Sequence, residues 1–330
     1  MLSARYDLSR SRDAVVPINQ AQKLARDALA AKLTDGRYSL IDHTCPICDG
    51  DSFEPLASRD RYGLPFQVVI CRTCGLIQGL RYLSGASLGE FYAEDFPALH
   101  RSSKVPTDEK FEDRRKYAAS IARWLSAHGI PKGRRLLDVG CSSGGILQGL
   151  IDHGFDGYGV EINQDYASYA KNKGLKVEVG TLESVLSKVE PEIVTYCQVL
   201  EHIPDLHREL STLRDSITGD ALVYLEVPGI KKLWPTYHFD FLRSLQLAHI
   251  WYFSLETLTA LMSRYGFRLV TGDQTVRALF ALDAEQATSV RGSDYDSALR
   301  ALRRSEFVRK IYPLAAVRRA ARLVRRARGR

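Results

Sequence analysis

The sequence has no apolar run near the roughly 20 residues that a membrane-spanning helix needs, so the chain is not expected to cross a bilayer. Its first residues, MLSARYDLSRSRDAVVPINQ, lack the apolar core of a secretory signal peptide. Six cysteines in 330 residues are too few for a small disulfide-stapled secreted domain. These absences predict a cytoplasmic protein, and its 45% hydrophobic content allows a sizeable core.

A net positive charge is lacking except near the end of the chain. Residues 291–330 hold thirteen Lys or Arg against three Asp or Glu, a net +10, which leaves −3 for the rest of a chain whose total is +7. Within this tail Leu314, Val317, Ala321 and Val324 recur at helical spacing. Such a basic helix can lie on an anionic membrane surface or contact RNA, and a solvated tail is the third interpretation. We expect peripheral contact with the inner face of the cell membrane or a solvated tail, and consider nucleic acid the less favoured partner.

Four cysteines form two C-x-x-C turns, CPIC and CRTC, separated by 22 residues. Four thiolates suit the tetrahedral preference of Zn²⁺, and a site closed by four cysteines is structural rather than catalytic. An iron–sulfur cluster, a redox pair or buried reduced thiols are the other interpretations. The segment between the turns has four acidic and two basic residues, so it is not a nucleic-acid face. We predict a zinc ribbon that supports folding, with the ligands Cys45, Cys48, Cys71 and Cys74.

From Arg134 onward, predicted strands and helices alternate, which is typical of a doubly wound, mostly parallel α/β sheet. The strands are predicted at 135–139, 156–160, 175–178, 192–197 and 220–227. The helices are predicted at about 145–153, 164–173, 181–188 and 205–217.

The chain is expected to divide into five parts. These are an N-terminal helical extension (1–40), the zinc ribbon (41–80), a helical connector that contributes to the substrate pocket (81–130), a cofactor-binding domain (131–285) with an aromatic insertion (228–253), and a basic C-terminal helical tail (286–330).

The loop GCSSGG at 140–145 follows the first predicted strand of this sheet. Ser142 stands where a pyrophosphate-binding G-x-G-x-x-G loop has its central glycine, and the loop has no lysine of a P-loop. A ligand without phosphate, S-adenosylmethionine, therefore fits better than a dinucleotide. Glu161 ends the second strand, where an acid can accept hydrogen bonds from both ribose hydroxyls.

The segments LLDVGCSSGGIL, GYGVEIN, VEVGTLES and VLEHIPDLHRELSTLRDSITGDALVYLEVP resemble the motifs of class I S-adenosylmethionine-dependent methyltransferases. The cysteine module with FYAEDF is similar to the zinc-binding module of methyltransferases in sugar and surface-polysaccharide pathways. The resemblance implies a Rossmann-like methyltransferase domain acting on a small molecule or glycan. It also implies the cofactor-binding residues, which are Asp138, Gly140, Ser142, Gly144, Glu161, Ile162, Thr181, Leu182 and Gln198.

The acceptor is expected to meet histidines and aromatic residues near the fourth strand and in the insertion. His202, in LEHIPD, and His249 are the candidate catalytic residues, because a hydroxyl nucleophile benefits from a general base. Each could instead brace a loop, and the aromatics could simply pack beneath a lid. The candidate substrate-binding residues are Tyr92, Tyr237, His238 and Trp251.

Methylation of a sugar hydroxyl, in polysaccharide or glycolipid biosynthesis, is the leading functional hypothesis. Asn-Pro-Pro-Tyr, typical of exocyclic-amine methyltransferases, is absent after the fourth strand, which ends TYCQVLEH. An RNA methyltransferase that uses the ribbon and basic tail is one alternative. A non-catalytic zinc-ribbon adaptor is another.

Overall fold

A computed structural model describes residues 1–101, 105–217, 219–234, 236–283 and 293–328. The helices are α1 (Gln20–Thr34), α2 (Gly85–Glu90), α3 (Asp108–Ala127), α4 (Gly145–Asp152), α5 (Gln164–Asn172), α6 (Leu182–Val189), α7 (Leu206–Ser216), α8 (Leu255–Arg264) and α9 (Tyr295–Arg328). The strands are β1 (Leu40–Asp42), β2 (Phe53–Arg59), β3 (Pro65–Cys71), β4 (Ile77–Gly79), β5 (Arg81–Leu83), β6 (Arg135–Val139), β7 (Asp156–Glu161), β8 (Val177–Val179), β9 (Ile193–Cys197), β10 (Leu222–Glu226), β11 (Trp251–Tyr252), β12 (Phe267–Gly272) and β13 (Arg277–Leu282).

The central sheet has the strand order β12-β13-β10-β9-β6-β7-β8. The strands from β10 to β8 are parallel, and β13 and β12 extend the sheet in antiparallel pairing. The predicted doubly wound, mostly parallel sheet is confirmed. The bounds of β6 are those predicted, and the bounds of the other four parallel strands differ from prediction by at most two residues, because side-chain pattern marks burial and not the ends of hydrogen-bonded ladders.

Helices α3 and α4 cover one face of the sheet next to β6. A Cβ atom added at Gly145 would lie 2.5 Å from the carbonyl oxygen of Phe111, and one at Gly149 would lie 2.4 Å from that of Arg115. Only glycine permits such close approach of two helix backbones. Gly145, at the end of the Gly-rich loop, is therefore required for helix packing.

The cysteine module and the aromatic insertion share one small sheet, ordered β11-β4-β3-β2. Strand β11 comes from the insertion, and Trp251 and Tyr252 pair antiparallel with Gln78 and Ile77 of β4. The module predicted at 41–80 thus includes a strand from more than 170 residues later in the chain. Local sequence pattern could not predict this pairing, because it joins segments far apart in the chain.

The beginning of the basic tail belongs to the folded body. Ala298, Leu299 and Leu302 of α9 are buried in a core cluster that also contains Tyr6 and Leu29 from the N-terminal extension. The side chains of the predicted apolar stripe at Leu314, Val317, Ala321 and Val324 lie outside the part that the structure describes. In the described part of the chain, no helix combines the length and the apolar character that crossing a bilayer requires.

Candidate active site

The loop after β6 has a left-handed backbone at three alternate positions. The φ angles of Gly140, Ser142 and Gly144 are +66°, +54° and +81°. A Cβ atom at Gly144 would lie 2.3 Å from Leu175 Cδ1, and one at Gly140 would lie 2.8 Å from Val199 Cγ2. Both glycines are therefore required by the backbone conformation and by neighbours inside the protein, while Ser142 adopts the same conformation at an energetic cost.

Glu161, at the end of β7, holds this loop. The Ser142 N–H donates to Glu161 Oε2 (2.9 Å), and the Asn163 N–H donates to Glu161 Oε1 (2.8 Å). The carboxylate is only 8% exposed, whereas the neighbouring Ile162 is 66% exposed. An ionised carboxylate has lone pairs left after two such bonds, so Glu161 can stabilise the loop and still accept from ribose hydroxyls.

Asp138, in β6, is 1% exposed. The Thr195 hydroxyl donates to Asp138 Oδ1 (2.7 Å). Its Oδ2 atom is buried without a hydrogen-bond partner among the described residues. Burial raises the pKa of Asp138 to about 7, and the nearby negative charge of Glu161 contributes to the rise. A buried acceptor of this kind next to the loop fits the ammonium group of an amino-acid-bearing ligand.

The other predicted cofactor residues follow β8 and β9. Gln198 comes directly after β9 with φ +63°, and its N–H donates to the Glu226 carbonyl oxygen (2.7 Å). Thr181 is exposed before the first turn of α6. The side chain of Leu182 is buried in the core, so its backbone is the part that can border a ligand.

Two histidines and a tyrosine meet beyond β9. His202 lies in a short 3-10 turn, Leu200–His202, and the rings of His202 and His249 meet edge to face with centroids 4.6 Å apart. Tyr92 Oη lies 3.2 Å from His202 Nδ1. The structure brings together three residues that the sequence predicted separately. Their catalytic and substrate roles remain predictions.

Glu201 is the residue of this cluster that sequence analysis did not select. It is 1% exposed, and neither carboxylate oxygen has a hydrogen-bond partner in the described part of the chain. Burial raises the pKa of Glu201 to about 8. Burial together with His202 and Arg61 holds the pKa of His249 well below its usual value. The acid adjacent to the histidine in LEHIPD was the available sequence signal, but its burial was not visible there.

The remaining predicted substrate residues have different surroundings. The buried indole of Trp251 donates from Nε1 to the Ile203 carbonyl oxygen (2.7 Å). Tyr237 is half-buried, and burial raises the pKa of its hydroxyl to about 12. His238 is exposed, with its ring 5.4 Å from that of Trp234. Trp251 is held by this hydrogen bond and His238 packs against a neighbouring ring, and the substrate roles of both stay predictions.

A polar network adjoins the histidines from the cysteine module, and no sequence motif indicated it. Arg61 Nη2 donates to Gln246 Oε1 (2.7 Å) and lies 2.9 Å from the ring nitrogens of His100. The amide nitrogen of Gln246 in turn contacts His249 Nε2. The insertion, the connector and the cysteine module therefore all reach the cluster.

The four cysteines of the module converge. Cys45 Sγ lies 3.4 Å from Cys74 Sγ, and Cys48 Sγ lies 3.5 Å from Cys71 Sγ. Zn–S bonds of about 2.3 Å in a tetrahedron would place the sulfurs roughly 3.8 Å apart. All four thiols are free of disulfides, so the set fits a closed tetrahedral cation site.

The parallel sheet, the loop after β6 and the acid ending β7 define a class I methyltransferase architecture. Residues 110–271 match the family model described as methyltransferase domain. This match covers 162 of the 330 residues and identifies a methyltransferase domain, and the chain is similar to S-adenosylmethionine-dependent methyltransferases.

Three known proteins illustrate the similarity. C-methyltransferase NovU of Streptomyces niveus is 24% identical over 212 residues, which cover 62% of this chain and 47% of that protein. Ubiquinone biosynthesis O-methyltransferase of Alkalilimnicola ehrlichii is 33% identical over 82 residues, 22% of this chain and 33% of that protein. The structure of a methyltransferase from Archaeoglobus fulgidus aligns at 25% identity and a TM-score of 0.40, covering 49% of this chain and 72% of that one. The chain spans less than half the length of both curated relatives.

Proposed function

We propose that this protein transfers the methyl group of S-adenosylmethionine to a hydroxyl of a sugar, in a small molecule or glycan of polysaccharide or glycolipid synthesis. The observation that carries the proposal is a shared edge of the sheet. The loop follows β6 and is bound by Glu161 at the end of β7, and the turn that carries Glu201 and His202 follows β9, the other parallel neighbour of β6. Ligands of doubly wound sheets bind at this carboxyl edge.

The cofactor supplies an electrophilic methyl group on a sulfonium. Asp138 would accept from its ammonium group through the unpartnered Oδ2 atom, and Glu161 would accept from its ribose hydroxyls. Gln198, fixed by its backbone bond to Glu226, would border the methyl group. Much of the rate of such a transfer comes from holding the two reactants in line.

The acceptor hydroxyl must lose its proton as the new bond to carbon forms. His202, which is half-buried and lies beside Tyr92, is the better placed histidine for direct contact with the acceptor. His249 is buried and its pKa is strongly lowered, which makes it a poor proton acceptor near neutral pH. His202 can act by accepting the proton itself, or both histidines can act by holding a cation that polarises the hydroxyl.

Zn²⁺ in the four-cysteine site would act through folding. The second C-x-x-C turn packs directly on the start of the C-terminal helix, since a Cβ atom at Gly75 would lie 2.4 Å from the Tyr295 nitrogen. The Asp294 N–H also donates to the Cys74 carbonyl oxygen (3.1 Å). Zinc would thereby hold the second C-x-x-C turn in the position where it packs against the start of α9.

Calorimetry with S-adenosylmethionine and with NAD tests the cofactor assignment. We expect micromolar binding of the former and none of the latter. The variant Glu161→Gln should bind S-adenosylmethionine roughly tenfold to a hundredfold more weakly, since each hydrogen bond to a charged acceptor contributes about 1.5–3 kcal/mol. Glu178→Gln on the adjacent strand makes the same charge change at an exposed ion pair with Lys188 and is the matched control. Binding of NAD alone would overturn the proposal.

An acceptor screen tests the second half of the proposal. Nucleotide sugars and lipid-linked glycans should become methylated at oxygen, which mass spectrometry and NMR of the product identify. Structured RNA belongs in the same screen, because an RNA methyltransferase would bind it with a steep dependence on salt concentration. Methylation of RNA and of no sugar would contradict the proposed substrate class.

A further inference from the structure

Glu201, His202 and His249 form a second cluster of metal-ligating groups, separate from the four cysteines. One ligand atom from each residue lies within 4.8 Å of those of the other two. Glu201 Oε1 is 3.9 Å from His249 Nε2. A first-row cation with bonds of about 2.1 Å holds its ligand atoms roughly 3 to 3.5 Å apart, so small side-chain rotations would complete the site.

The backbone keeps these side chains together. Glu201 and His202 are consecutive in the turn after β9, and the Ile250 N–H, next to His249, donates to the Glu201 carbonyl oxygen (2.9 Å). The insertion is held in addition by the pairing of β11 with β4. The three ligands therefore sit on two segments that are tied directly at the site.

The polar atoms of the cluster are those that a cation would satisfy. Both oxygens of Glu201 are buried without a hydrogen-bond partner among the described residues, and the near nitrogen of His249, Nε2, contacts the Gln246 amide, whose side chain would have to turn away from a bound cation. An ionised carboxylate without a partner is strongly unfavourable in the protein interior, which is why buried charges are paired or bind metals. Two positively charged side chains act on this network: Arg61 uses its guanidinium on His100, Gln246 and a backbone carbonyl, and the charge of Arg114 acts to lower the pKa of Glu201.

We propose that Glu201, His202 and His249 bind a divalent first-row transition metal cation at the methyl-acceptor side of the active site. Two imidazoles and one carboxylate suit Mn²⁺, Fe²⁺, Co²⁺ or Zn²⁺ better than Ca²⁺ or Mg²⁺, which prefer oxygen ligands. Three protein ligands leave coordination positions open for a substrate oxygen. A hydroxyl bound there would lose its proton more readily, so the cation deepens the proposed function by favouring an oxygen nucleophile.

The probe is Mn²⁺, titrated into the full-length protein with zinc already bound to the cysteines and followed by loss of the free Mn²⁺ EPR signal. Thiolate sites retain Zn²⁺ against Mn²⁺, so the cysteine module does not contribute. We expect one site with a micromolar dissociation constant. Glu201→Gln and His202→Gln should each weaken it at least tenfold. Glu209→Gln, which alters a carboxylate bonded instead to the Tyr196 hydroxyl (2.8 Å), should leave it unchanged.

Failure of the unaltered protein to bind Mn²⁺ below millimolar concentration would overturn the site, as would equal binding by Glu201→Gln and the unaltered protein. Circular dichroism of each variant shows whether it is folded, and His202→Gln gives a second test because its side chain is only half-buried. Binding of S-adenosylmethionine is measured on the same samples. Mn²⁺ binding without cofactor binding would refute the proposed function and support the metal site. Cofactor binding without Mn²⁺ binding would refute the metal site and support the proposed function.

Discussion

Asp138→Asn isolates the stability that one buried carboxyl group contributes. Burial raises the pKa of Asp138 from its usual 3.8 to about 7 in the folded protein. A group with a raised folded-state pKa binds its proton more tightly when folded, so its stabilising contribution is complete below the unfolded pKa and disappears as pH rises through the folded pKa. The whole contribution is about 4 kcal/mol, of which about 2 to 3 kcal/mol is lost between pH 5 and pH 8.

The asparagine variant removes this dependence and keeps the local contact, because its amide oxygen can still accept the Thr195 hydrogen bond. The free energy of unfolding in urea, measured at pH 5 and pH 8 without cofactor, should therefore fall less for Asp138→Asn than for the unaltered protein. Between pH 5 and pH 8, the free energy of unfolding of the unaltered protein should decrease by about 2 to 3 kcal/mol more than that of Asp138→Asn. The exposed Asp156→Asn is the matched control. If the unaltered protein and Asp138→Asn lose equal stability between these pH values, the inferred burial of an uncompensated Asp138 is wrong.

Three further outcomes test other parts of the molecule. Gly144→Ala should cost roughly 1–3 kcal/mol more than Gly174→Ala, because both have positive φ but only Gly144 faces Leu175; thermal unfolding checks this, and equal losses would contradict the clash. Complete removal of zinc should lower the melting temperature in calorimetry, and an unchanged value would refute a structural role. The protein should sediment with vesicles that contain anionic lipid, because exposed Phe307 and Ile311 and the basic residues after them would contact the lipid surface. A variant without residues 314–330 should not sediment with these vesicles. Equal vesicle binding by the unaltered protein and the truncated variant would show that residues 314–330 do not bind the membrane.

The candidate site was predictable in the parts that depend on neighbouring residues. The order strand, Gly-rich loop, helix, and an acid ending the next strand indicated the cofactor region, because parallel strands bring their carboxyl ends to one edge. Gly140 and Gly144 were predicted to bind the cofactor, on the basis of the resemblance. The structure gives a further reason for both glycines, since they face Val199 and Leu175 inside the protein.

The burial of single polar groups could not be predicted from the sequence. Glu201 stands in a motif whose histidine attracted attention, and nothing in the local pattern distinguishes an exposed acid from one that is 1% exposed. Asp138 was selected by resemblance, but its raised pKa follows from its burial within the sheet and from the nearby charge of Glu161. Desolvation depends on every element that surrounds a group, and so it is decided only when the chain has folded.

The sequence by itself determined the parallel sheet, the grouping of the four cysteines and the loop with its acid, because each is specified by spacing along a short stretch of chain. Tertiary structure decided the rest. It paired β11 of the insertion with the cysteine module, buried the start of the basic tail against the N-terminal extension, and brought His249 against Glu201 and His202. These contacts join residues tens to hundreds of positions apart, and their formation depends on the packing of the whole chain, which no local pattern encodes.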